Sequence, residues 1–85
     1  MKFSVGDVAQ YLKIVRDDNP IHNQIVPGQM IVQKVLRDYG MQNISCNIRY
    51  KQPVYINEPL NVYQDSEGFV VKNEQGIVKL NIVVM

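Results

Sequence analysis

Gly28-Gln29-Met30-Ile31-Val32-Gln33-Lys34-Val35-Leu36-Arg37-Asp38-Tyr39-Gly40 is the stretch on which the fold turns. Met30, Ile31, Val32, Val35, Leu36 and Tyr39 recur at helical spacing and put apolar side chains on nearly all sides of one helix, and Gly40 stands where such a helix stops. A helix with so little polar surface has to be wrapped by other elements. The C-terminal half of the chain can do the wrapping, because from Asn43 the period changes to two: Ile44, Cys46, Ile48 and Tyr50 alternate with Ser45, Asn47, Arg49 and Lys51. That is a strand with one buried face, ended by Pro53. Pro59 opens a shorter strand through Leu60 and Val62 to Gln64. Asp65-Ser66-Glu67-Gly68 and Asn73-Glu74-Gln75-Gly76 read as turns on either side of a strand from Phe69 to Lys72. Ile77 to Met85 is the last strand, with Val78, Leu80, Ile82 and Val84 on one face.

Ahead of the central helix, Ser4 and Asp7 form a capping box with Asp in place of Glu, and Val5, Val8, Tyr11, Leu12 and Val15 come after it at helical spacing. The spacing predicts a helix from Val5 to Asp17, with Gln10, Lys13 and Arg16 toward water. Asn19-Pro20 disfavours helical geometry before the proline and ends it. His22 to Pro27 is then a short loop. The predicted order is helix, helix and four antiparallel strands, a single α+β domain over residues 1–85.

An 85-residue chain buries only about 60% of the surface that its unfolded form exposes, so a partner surface is expected. A net charge of +1 with 20% charged residues gives no reason to expect nucleic acid or an anionic membrane as partner. Cys46 is the sole cysteine, which rules out an internal disulfide and a Cys-rich metal site. No metal and no cofactor are expected, and the expected compartment is a reducing cytoplasm. Gly6 and Asp7 interrupt any signal-peptide core. The apolar run at the C-terminus is far shorter than the roughly 20 residues that span a bilayer, and Lys79 and Asn81 break it.

Acid–base chemistry has one candidate location, Asp17-Asp18-Asn19-Pro20-Ile21-His22, which holds the only histidine. An acid and an imidazole on either side of such a bend can converge on one water or one substrate atom. The residues alone equally allow a plain turn, with Asp17 solvated and His22 packed locally. At a helix C-terminus, beside the like charge of Asp18, an aspartate is pushed toward its protonated form, which suits a general acid or base. Gly28 is the opposite case: the first N–H groups of a helix lack internal partners and attract negative charge, and glycine lets a ligand come close. Cys46 falls in the apolar register and reads as core. Arg16, Arg49 and Lys51 are either solvated surface or contacts for phosphate.

Phe3, Asp7, Val8, Ala9, Tyr11 and the run Asp17-x-Asn19-Pro20-x-His22 resemble the hydratase motif region of MaoC-like hot-dog proteins, the (R)-specific enoyl-CoA hydratases. Ile25-Val26-Pro27-Gly28-Gln29-Met30 is similar to that family's entry to its central helix, with Pro27 in place of the common histidine. Tyr50-Lys51-Gln52-Pro53-Val54-Tyr55 with Glu58-Pro59-Leu60 is similar to a later stretch, with Asn57 where a glycine usually sits. The resemblance implies a hot-dog fold, an antiparallel sheet wrapped around a central helix, here truncated to about four strands and two helices. It implies a dehydratase or hydratase of fatty acid metabolism, a lyase adding water to a trans-2-enoyl thioester of CoA or of a carrier protein. Asp17 and His22 would activate the water, and the Gly28 N–H would steady the thioester oxygen. A homodimer, or a higher or mixed oligomer, is the implied assembly. The segment between His22 and Gly28 is shorter than in typical members, and the usual strand before the first helix is missing, which predicts an exposed sheet edge. Those departures keep open a non-catalytic module that binds an acyl thioester or a carrier protein. A hot-dog thioesterase is a third reading, ranked lower because the early turns of the central helix offer only Gln29 and Gln33 where a carboxylate is needed.

Overall fold

The structure, a computed structural model, describes residues 1–15, 25–41 and 43–85. In chain order the elements are α1 (Val5–Val15), β1 (Ile25–Val26), α2 (Gly28–Asp38), β2 (Cys46–Tyr50), β3 (Val54–Tyr55), β4 (Leu60–Gln64), β5 (Gly68–Asn73) and β6 (Val78–Val84). The four longer strands form one antiparallel sheet in the order β2-β6-β5-β4, and β1 pairs with β3 as a separate two-stranded ribbon. The fold is α+β and hot-dog-like, with α2 on the inner face of the sheet.

Local chemistry accounts for most of the boundaries. At the start of α1 the capping box forms as the sequence predicts: Asp7 N–H donates to Ser4 Oγ at 3.1 Å, and Ser4 N–H donates to Asp7 Oδ2 at 3.0 Å. These bonds hold the Asp7 carboxyl below its usual value. Both hairpin turns are tied by an acceptor side chain. Asp65 Oδ1 receives the N–H groups of Glu67 and Gly68, and Asn73 Oδ1 receives those of Gln75 and Ile77. Asn57 adopts φ 66°, a left-handed conformation that asparagine tolerates better than most residues, so it can stand where the resembled stretch carries glycine.

The core lies between the sheet and α2. Ile48, Ile82 and Phe69 fall in one row across β2, β6 and β5, next to Leu80 and Val71. They form one cluster with Ile31, Val32, Val35 and Leu36 of α2 and with Phe3 and Val8.

Several expectations are corrected. The central helix is amphipathic rather than apolar on nearly all sides: Gln29, Gln33 and Arg37 recur every fourth residue on an exposed stripe, opposite the buried face. Val5, placed in the apolar stripe of α1, is exposed because it is the first helical residue and lies off the core. Tyr50 belongs to the inward register of β2 yet is 55% exposed, because β2 is an edge strand and its end projects past the core. The ribbon β1–β3 replaces what reads as loop before Pro27 and after Pro53; two-residue strands are too short to show a period. The edge of β4 is partly covered. Met1 and Leu60 exchange both backbone bonds (3.0 and 2.7 Å), and Asn57 N–H donates to Phe3 C=O at 2.7 Å, so Met1 to Phe3 lie along the start of β4. The end predicted for α1 at Asp17 lies outside the described residues.

Candidate functional site

The N-terminus of α2 opens on a cleft. Pro27, with φ −59° and ψ 130°, leads into the helix without a side-chain cap, and its carbonyl receives the N–H groups of Met30 and Ile31 at 3.1 and 3.4 Å. The N–H groups of Gly28 and Gln29 have no acceptor among the described residues. They are the orphan donors that a helix start leaves, and they carry the positive end of its dipole.

Gly28 lines a cleft of about 270 Å³ whose apolar walls come from Ile25, Val26, Ile31, Val54 and Leu80. Tyr50, Lys51, Gln52 and Pro53 complete it. The Tyr50 ring stands directly against Gly28: a Cβ built there would collide with Cε1 and lie 2.9 Å from both Cδ1 and Cζ. Any side chain at this position would require the Tyr50 ring to move, a constraint of space rather than of backbone angle. Burial of one side of the ring, with Tyr11 and Cys46 nearby, raises the Tyr50 phenol above its ordinary value.

The far wall of the cleft is held by a buried ion pair that sequence reading passed over. Lys79, which in the sequence only interrupts an apolar strand, is 5% exposed. Its Nζ lies 3.0 Å from Glu58 Oε2 and donates to the Pro53 carbonyl at 2.9 Å. Glu58 also receives the Tyr55 N–H and Asn73 Nδ2. Burial raises the Glu58 carboxyl, and these hydrogen bonds together with the Lys79 charge outweigh it, so the group sits below its ordinary value. The Lys79 carbonyl receives both Lys51 and Gln52 N–H. One residue of β6 therefore fixes the segment from Lys51 to Pro53. The sequence signal was present, a lysine between Val78 and Leu80 in an otherwise apolar strand, but its partner is 21 residues away at Glu58.

Of the residues singled out in the sequence, Gly28 and Lys51 line this cleft, whereas Arg49 is exposed on β2 and does not. Cys46 is half-buried against the core, as its register predicts. Asp17, His22 and Arg16 fall outside the described residues. Gln29 and Gln33 are exposed, and Gln33 lies in a second groove of about 570 Å³ between α1 and α2, with Lys2, Asp7, Tyr11 and Arg37. Among the described residues no three His, Cys, Asp or Glu side chains group to hold a metal ion, and no helix is long and apolar enough to cross a membrane.

No family model matches the sequence, and no curated protein matches it. Among solved structures the chain is similar to the (R)-hydratase from A. caviae involved in PHA biosynthesis, with a TM-score of 0.73 and 15% sequence identity, over 99% of this chain and 86% of that one. At that identity the likeness is one of fold, and it extends over nearly the whole of this chain.

Proposed function

We propose that this protein is an acyl-thioester hydratase or dehydratase of the MaoC-like hot-dog type, acting on a trans-2-enoyl thioester of CoA or of a carrier protein. The observation that carries the reading is the start of α2: two backbone N–H groups without acceptors among the described residues, at a glycine in the wall of an apolar cleft. Donors of this kind stabilise the negative charge that develops on a thioester oxygen when water adds to the conjugated double bond. The Asp17 and His22 side chains hold and activate that water, one taking its proton while the substrate α-carbon receives another. The fold shared with an (R)-hydratase supports the same reaction class.

A second copy of the chain is the expected partner. β2 pairs with β6 on one side, and no strand of the described residues pairs with its other edge. An open edge of this kind favours pairing with an identical strand about a two-fold axis.

Hydration of crotonyl-CoA, monitored as loss of the enoyl-thioester absorbance, tests the reading. Asp17→Asn and His22→Ala are each expected to lower kcat by about 10²–10⁴-fold, the usual contribution of a general acid or base. Hydration that persists unchanged in the double variant sinks the assignment. A non-catalytic acyl-thioester module is the second reading, favoured by the short run Asn23-Gln24-Ile25-Val26-Pro27 between His22 and Gly28. Binding of acyl-CoA without turnover at any chain length would select it.

A further inference from the structure

We propose that Tyr50 sets which acyl groups the site accepts, its ring serving as a wall over Gly28 that restricts the cleft to short, unbranched chains. The inference rests on the reading of Gly28 as the place where the thioester carbonyl is held. Three features carry it. The ring occupies the space beside the Gly28 Cα, so an acyl group approaching Gly28 along the cleft comes up against it. The cleft behind it measures about 270 Å³, just under the ~300–1,000 Å³ of ordinary ligand pockets. With walls of Ile25, Val26, Ile31, Val54 and Leu80, it takes an apolar group and a small one.

The ring is held at its base. Tyr50 pairs with Leu80 across β2 and β6, and the next two residues donate to the Lys79 carbonyl at 2.9 and 3.1 Å. The backbone under the ring is thus tied to β6, while half of the residue faces solvent. Rotation of the side chain widens the mouth, which makes the size of residue 50 a control on the length and breadth of the acyl chain. Tyr50→Phe keeps the ring and removes the hydroxyl, so it separates size from hydrogen bonding.

The test compares the full-length wild-type protein with Tyr50→Phe and Tyr50→Ala on trans-2-butenoyl-, hexenoyl- and octenoyl-CoA. In the wild type, kcat/KM falls by at least about tenfold from the butenoyl to the octenoyl substrate, the scale on which an apolar pocket discriminates by methylenes. Tyr50→Ala removes that fall, and Tyr50→Phe keeps the wild-type order of preference. A Tyr50→Ala profile that matches the wild type, or a wild type that takes octenoyl- as well as butenoyl-CoA, overturns the inference. If no substrate is turned over, the hydratase reading has failed, and the same variants are compared by calorimetric binding of butyryl- and octanoyl-CoA. Short-chain preference lost in Tyr50→Ala then upholds the role of Tyr50, whereas equal binding of both, or of neither, overturns it.

Discussion

Glu58→Gln is expected to cost about 3–5 kcal/mol of stability, the usual penalty for removing one partner of a buried pair. The magnitude comes from the charge left behind. At 3.0 Å from Lys79 Nζ, two unit charges attract by about 5–6 kcal/mol at an effective dielectric constant of ~20. Desolvation of the two ions consumes several kcal/mol each, so the intact pair contributes little net stability. Without the carboxylate, however, the Lys79 ammonium keeps the Pro53 carbonyl as its acceptor and stays on a side chain only 6% exposed. Lys79→Met costs less, because the Glu58 side chain is 17% exposed and retains Tyr55 N–H and Asn73. The double variant recovers most of the loss, giving a coupling of about 2 kcal/mol or more. Urea unfolding reads these differences as shifts in midpoint at constant slope, and thermal unfolding as about 4–8 °C per kcal/mol for a domain of this size. The pH dependence has a definite sign. The native Glu58 carboxyl lies below its ordinary value, so the stability it contributes is present above the unfolded value of about 4.3 and is lost as pH falls through the native one. The gap between wild type and Glu58→Gln therefore persists at neutral pH and narrows in acid. A Glu58→Gln protein within about 1 kcal/mol of wild type at pH 7, well short of the buried-pair penalty, would refute the reasoning, as would single effects that simply add in the double variant.

Gly68→Ala should lose about 2–3 kcal/mol by urea unfolding, since a Cβ there would run into the Ile82 carbonyl and lie 3.1 Å from Val84 N, backbone atoms that cannot shift without opening the β5–β6 pairing; unchanged stability would contradict that close approach. Gly28→Ala should cost about 1–3 kcal/mol in the wild-type background, where its Cβ meets the Tyr50 ring, and close to nothing in a Tyr50→Ala background. Equal costs in the two backgrounds would show that the ring does not rest on Gly28.

Legibility in the sequence depends on the range of the interaction. The Ser4–Asp7 box and the Asp65 and Asn73 turns involve residues within four positions of one another, and each forms as read; the alternation from Ile44 to Tyr50 and along β6 is followed only in part, since Ile44 and Tyr50 are exposed and Lys79 is buried. The apolar face of α2 is narrower than its spacing predicts because Met30 and Tyr39 lie at its margins: Met30 is half-buried and Tyr39 is exposed and tilted on Phe69. The edge of β4 is partly covered because the three residues Met1 to Phe3 suffice to place two backbone pairings, and so short a segment has no period to read. In the candidate site, Gly28 reads as a helix-start glycine, whereas Tyr50 reads only as part of the buried face of a strand, since alternation tells which face a side chain takes and not where the strand ends relative to the core.

The sequence by itself determined the two helices, the four strands of the main sheet, the turns and the helix start at Gly28, because backbone hydrogen bonding and side-chain periodicity are local; the two-residue strands β1 and β3 lie beyond its reach. Only the tertiary structure decided that Lys79 is buried against Glu58 and that the ring of Tyr50 lies on Gly28. Those contacts join residues 21 and 22 positions apart, and they depend on how the strands and α2 are set against one another, which no local pattern encodes. The cleft belongs to this second class, since each of its walls comes from a different element.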